Sequence, residues 1–228
     1  MSDLSDYERR YLSMLDELQH TPAVEVLYEE RGPVEEEIGD AAEAFTLIAE
    51  EEGVVLNTSL HRSFLRFEGL SSHWGVERAG VYLTGEFSVR HLAAAMLSPG
   101  VEPATDEPSD QELALYAELR PFDEQPRGGG GMLSALRIDP GMSMPEVWYY
   151  HATRGVFQMD LEYPEYLDAL LVTKGVYGWQ YLYTDVSMRE IDFQGAAESI
   201  QNMLRIFPDI FPDHDYAPFA ERLAERLR

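Results

Sequence analysis

Apolar residues recur at helical spacing from the start of the chain. Tyr7, Tyr11, Leu15 and Leu18 share one face and Pro22 lies just beyond, which predicts a helix from Ser5 to about Leu18. A short apolar run begins at Val24. It leads into YEERGPVEEE, where Gly32 and Pro33 interrupt regular structure and Glu29, Glu30, Glu35, Glu36 and Glu37 stay solvated, an exposed acidic loop ending at Ile38. GDAAEAFTLIAEEEG carries the clearest helix punctuation. Asp40 is placed to cap, Glu43 completes a capping box, Phe45, Ile48 and Ala49 form a stripe, and Gly53 suits a left-handed stop, so a helix is predicted over 41–52. Val54 to Leu56 is short and extended. Asn57 or Thr58 then caps a second helix, with Leu60, Phe64, Leu65 and Phe67 on one face before Gly69.

Val81 to Leu83 is β-prone, Gly85 reads as a turn, and Ser88 as the cap of a helix from Val89 to Leu97 that Pro99 and Gly100 end. Residues 100–110 are rich in proline and acid, a loop. QELALYAELRPF restores a helical passage through Leu113, Tyr116 and Leu119, and DEQPRGGGGM follows as a flexible connection. Beyond it the period changes. ALRIDP and EVWYYH are strand-like, ATRG supplies a turn, and Phe157, Met159 and Leu161 alternate with Val156, Gln158 and Asp160, giving a hairpin over 147–161. Pro164 opens a helix with Tyr166, Leu167, Leu170 and Leu171 on one face, Lys174 at its negative end and Gly175 as its stop.

GVYGWQYLYTDV, at 175–186, is the most aromatic window of the chain. Trp179, Tyr181 and Tyr183 share a face in a strand, Trp179, Leu182 and Tyr183 in a helical turn. Core filling is expected here over a ligand-stacking platform, with the Trp179 indole finding a partner and the tyrosine hydroxyls reaching water. Phe64, Phe67, Trp74, Trp148, Phe157, Tyr166 and Trp179 form the predicted aromatic core. The element order implies an α+β fold, a mainly antiparallel sheet with helices packed against it. It divides into an N-terminal helical leader with the acidic loop (1–37), an α+β core (38–190) and a C-terminal helical extension (191–228) packed on the same domain.

Composition narrows the chemistry. The 228 residues hold no cysteine, which removes thiol catalysis, disulfides and thiolate metal sites. The acidic start lacks the form of a secretory signal and no stretch approaches the ~20 apolar residues of a membrane span, so a soluble cytoplasmic protein is expected. Against 42 Asp and Glu stand 17 basic residues, of which Lys174 is the sole lysine, for a net charge of −25. Such a field repels nucleic acid and attracts a basic protein. Motifs add little. Gly128 to Gly131 lacks the Lys-Ser or Lys-Thr of a phosphate loop. Asp209, Asp213, His214 and Asp215 crowd one segment without a known metal-ligand spacing, and Pro208 and Pro212 make a turn-rich connector the simpler account. No Gly-x-Ser-x-Gly elbow occurs, and His61 and His73 read as surface histidines. No catalytic residue, metal or cofactor is assigned.

One ordered set of features resembles a known family. LNTSLHRSFLRFEGLSSHW carries His61, Phe64, Leu65, Phe67 and Gly69 where the SUKH superfamily, which includes fungal cell-wall-assembly regulators and bacterial relatives, has a Y-x-x-F-L-x-x-x-N-G-like segment. After the hairpin, Leu161, Tyr163, Glu165, Tyr166 and Leu167 resemble its L-x-F-x-E-Y-L helix start, over a span of about Ile38 to Val186. Asn57 and Thr58 depart from the usual Leu-Pro, Glu68 replaces the asparagine of Asn-Gly, and the acidic loop and glycine run are insertions. The resemblance implies a SUKH-like domain, a helical turn at 175–186 and a noncatalytic protein-binding module: an immunity protein neutralising a toxin such as a nuclease, or a regulatory scaffold. An acidic recognition surface of Glu29, Glu30, Glu35, Glu36 and Glu37 would suit a basic toxin domain. A small-molecule or metal-dependent enzyme is the reading from another class.

Overall fold

Seven antiparallel strands form one sheet in the order of the chain, each paired with its sequence neighbours. The computed structural model describes residues 4–78, 80–103, 108–128, 130–138 and 141–228. The strands are β1 (Val24–Arg31), β2 (Leu70–Arg78), β3 (Val81–Val89), β4 (Leu119–Gln125), β5 (Met132–Arg137), β6 (Glu146–His151) and β7 (Gly155–Gln158). The helices are α1 (Asp6–His20), α2 (Ala41–Glu52), α3 (Leu92–Met96), α4 (Asp110–Glu118), α5 (Tyr163–Thr173), α6 (Gln194–Ile210) and α7 (Ala217–Arg226). The α+β class with an antiparallel sheet is thus as expected. Strand alternation sorts the two faces: Val147 and Tyr149 enter the main core, which draws on residues from Tyr11 to Leu223. Tyr150, on the opposite face, joins Tyr116, Leu119 and Ala135 in a smaller cluster with α4.

Where local chemistry is self-sufficient, the sequence reading holds. Asp40 and Glu43 close a capping box on α2 and Gly53 ends it at φ 70°. The helix expected from Ser5 is α1, and the structure adds a capping box of Ser5 and Glu8 at its start. The hairpin expected over 147–161 is β6 and β7, its second strand ending early at Gln158; Pro164 lies in the first turn of α5, and Trp179–Tyr183 is a 3-10 turn.

Other expectations are overturned by contacts distant in sequence. The second helix is a 3-10 segment, Thr58–Ser63, capped by Asn57 and ended by the extended Phe64, and no helix continues to Phe67. Val34 bridges Phe67, and the buried Glu8 carboxylate takes the Arg66 N–H and guanidinium, fixing that stretch to the N-terminal helix. Gly85 is no turn: β3 runs straight through it, and a Cβ there would lie 2.3 Å from Trp74 Cζ2, so the glycine makes room for the indole. Ser88 is a strand residue, and α3 starts later, capped by His91 Nδ1 accepting the Ala94 N–H at 3.0 Å. The strand β2 went unseen because Ser71, Ser72 and His73 interrupt its apolar positions. The helical passage after Asp110 stops at Glu118, and Leu119 begins β4, whose Pro121 sits at a register shift. Tyr28 to Arg31 belong to β1, so Glu29 and Glu30 are strand residues and not loop. Of the expected loops, residues 104–107 and Gly129 lie outside the described residues, as do Asp139 and Pro140 of ALRIDP.

The sheet parts beyond the single register pair Val89–Asp123. Into that gap runs the segment after α5: Glu86 N–H donates to the Gly175 carbonyl at 2.9 Å, Tyr177 N–H to the Thr84 carbonyl at 3.3 Å, and Gly85 bridges Val176. Gly175, at φ 75°, has no space for a side chain, because a Cβ would lie 2.4 Å from the Glu86 carbonyl.

Candidate functional site

The five predicted glutamates do not form one free patch. Glu29 is half-buried and paired with Arg31 at 2.7 Å, and Glu30 accepts the Tyr28 hydroxyl at 2.7 Å. Glu35 accepts from His91 Nε2 at 2.7 Å. Because His91 Nδ1 is already an acceptor, the ring carries its proton on Nε2, and burial holds its pKa below the usual histidine value despite Glu35. Glu36 and Glu37 are exposed on a 3-10 turn, Glu36–Ile38. Of the predicted aromatic core, Phe64, Phe67, Trp74, Tyr166 and Trp179 are buried. Trp148 and Phe157 are only half-buried, the first on the sheet's second face with its indole donating to Glu146, the second at the core's margin beside Phe193. The Trp179 indole N–H has no partner among the described residues, and Tyr181 is fully buried with its hydroxyl near Arg154, so neither behaves as expected.

A concavity of about 690 Å³ lies between α1, the end of α5 and the segment after α6. Met14, Leu171 and Val172 give it an apolar floor, and Arg9, Arg10, Asp16, Glu17, Asp213 and His214 line its walls. Behind Glu17 and His214 lies Lys174, which the sequence placed at the negative end of its helix and which is fully buried. Its ammonium donates to Glu17 Oε2 at 2.5 Å and to the Leu171 carbonyl at 3.2 Å, faces His214 Nε2 at 3.3 Å, and stands over the Phe211 ring. Desolvation lowers the Lys174 pKa and the Glu17 charge opposes it; Glu17 itself is held below the usual carboxylate range, as His214 and Lys174 outweigh its burial. The ammonium is held inside by Glu17 and the Leu171 carbonyl, which leaves no exposed amine for nucleophilic chemistry. The other members of the Pro-Asp segment disperse: Asp209 pairs with Arg78 and Asp215 caps the Ala217 N–H. Among the described residues no group of three or more His, Asp or Glu side chains is placed to hold a metal ion, and no helix is long and apolar enough to cross a membrane.

A second polar assembly was invisible in sequence. Tyr28, His73 and Glu86 stand opposite one another in register across β1, β2 and β3. The turn Pro126–Gly128, leaving β4, folds back over them. Arg127 stacks its guanidinium 3.4 Å from the Tyr28 ring centre, and the N–H groups of Arg127 and Gly128 donate to the two oxygens of the buried Glu86 carboxylate, each at 2.6 Å. Gln125 donates its amide to the Glu86 carbonyl at 3.3 Å.

Inside the core, the Asp123 carboxylate accepts the Tyr166 hydroxyl at 2.6 Å and the Ser88 N–H at 2.9 Å, tying α5 to the β3–β4 junction. Complete burial pushes its pKa up to about 7 against those two hydrogen bonds. Buried and bonded to these internal partners, it ties elements of the core together. Compared with protein-family models, with curated proteins and with solved structures, the chain matches none.

Proposed function

We propose that this chain is a noncatalytic protein-binding module of the SUKH type that takes a basic protein partner, in its sharpest form a toxin domain such as a nuclease that it neutralises. The observation that carries this reading is the charge left after internal pairing. Lys174 is buried against Glu17, and most of the sixteen arginines are ion-paired to carboxylates, among them Arg9, Arg10, Arg31, Arg66, Arg78, Arg90, Arg137 and Arg222. The unpaired excess is therefore anionic and faces solvent, a field that steers a cationic surface toward the molecule and repels nucleic acid. The groups with catalytic chemistry, Lys174, Glu86, Asp123 and His91, are bound to internal partners. A cytoplasmic site of action belongs to the same proposal.

Growth rescue tests it. Co-expression with toxin domains encoded beside the gene is expected to restore growth of a sensitive host, through a complex that weakens as salt rises. Failure to rescue against each of them, with both proteins expressed, overturns the immunity reading; capture of an endogenous cell-envelope complex in its place would assign the scaffold role.

A further inference from the structure

The recess on the outer face of β1 to β3 contains an anion and a cation that do not pair with each other. Glu86 is 6% exposed, and a carboxylate so buried ordinarily meets an arginine or lysine. Among the described residues it meets two neutral main-chain N–H groups, one on each oxygen. That is the donor arrangement of a bidentate guanidinium. Arg127, meanwhile, rests on the Tyr28 ring with no carboxylate partner among the described residues. Gly128 permits this seating, since a Cβ would lie 3.2 Å from Glu86 Oε2 and 3.3 Å from His73 Nε2. The turn thus fills, with its own backbone and its own arginine, a place whose ring, paired carboxylate oxygens and second carboxylate, Glu30 on the Tyr28 hydroxyl, all match an arginine side chain.

We propose that this recess receives an arginine side chain from the basic partner, and that the Pro126–Gly128 turn is an internal occupant which the incoming arginine displaces. This rests on the protein-binding reading above and assigns its contact point. The displaced turn exchanges two hydrogen bonds and one ring contact for similar ones made by the partner, so the cost of opening is largely matched on binding. Arg127 then competes with the ligand, and removing its side chain strengthens binding.

The test is calorimetric titration of the full chain with acetyl-Gly-Arg-Gly-amide and with its citrulline analogue, which keeps shape and loses charge. Arg127→Ala is expected to bind the arginine peptide about 2- to 5-fold more tightly than wild type, the worth of one exposed cation–π contact. Adding Tyr28→Leu, which leaves the net charge unchanged, should remove that gain, and adding Tyr28→Phe, which keeps the ring, should retain it. Matching melting midpoints establish that the variants are folded. An Arg127→Ala chain that binds no more tightly, equal binding of the citrulline peptide, or a gain that survives Tyr28→Leu overturns the recess. Growth rescue separates the two proposals: rescue that persists undiminished in Tyr28→Leu defeats the recess and leaves the module standing, whereas no rescue by wild type defeats the immunity reading itself.

Discussion

Trp179 has no exposed surface and packs its rings against Tyr166 and Tyr183 at 4.8 and 5.9 Å between centroids. Trp179→Ala should therefore cost about 3–5 kcal/mol, read as a lowered urea midpoint with unchanged slope; an unmoved midpoint would show that the side chain does not fill the core. Asp123 supplies a pH signature. Its folded pKa of about 7 stands above its ordinary 3.8, so the native state holds the proton more tightly than the unfolded chain. That stabilisation is complete below about pH 4 and is lost as pH rises through 7, on the order of 4 kcal/mol in all. Glu8 and Glu17 act oppositely: each is held below its ordinary value, and their contribution is lost on acidification. Urea midpoints of wild type and Asp123→Asn between pH 4 and 8 should diverge across that window, the variant lacking the decline. Parallel curves would remove the assignment. None of these behaviours is readable from residue type, since Asp123 is one of 42 acids and only burial singles it out.

At the scale of elements, the one lysine ties the N-terminal helix to the end of α5, beside the Tyr11 hydroxyl on the Leu167 carbonyl and the Arg10–Asp168 pair. Glu17→Ala strips the countercharge from a fully buried ammonium and should cost about 3 kcal/mol, while the double change Glu17→Leu with Lys174→Met, which removes both charges, should recover most of it. A double variant as unstable as the single would show that packing and not charge is at stake. The same pair predicts that an amine-directed reagent leaves Lys174 unmodified in the native chain and modifies it once Glu17→Ala loosens the site, measured by mass spectrometry after digestion. The sequence located α1, α2, α5 and the β6–β7 hairpin because caps, glycine stops and a single clear period act within a few residues. It lost β2, the far half of β3 and the start of β4, where Trp74 needs Gly85, Glu8 needs Arg66 and Asp123 needs Ser88, partners 11, 58 and 35 residues apart.

For the whole molecule, the net charge of −25 sets the balance. Self-repulsion among exposed carboxylates opposes the compact state, so the melting midpoint should rise as ionic strength goes from about 0.01 to about 0.15 M, where the screening length falls from about 30 to about 8 Å. A midpoint that falls with salt would mean that the surface ion pairs outweigh the repulsion. The seven-stranded meander leaves β1 as an edge strand, and Glu25, Glu29 and Glu30 on it discourage pairing with a second sheet while its Tyr28 joins the recess on the outer face.

By itself the sequence determined the class of fold, the helices with complete local punctuation and the sign of the surface field, because these depend on periodicity and on sums over residue types. Tertiary structure alone decided which charges remain free. It buried Lys174 with Glu17, gave Glu29, Glu30 and Glu35 separate partners while leaving Glu36 and Glu37 exposed, and set Glu86 beneath Arg127 and Gly128. The physical reason is that an ion pair or a hydrogen bond is a relation between positions in space, and antiparallel pairing brought Tyr28, His73 and Glu86 side by side from three separate strands.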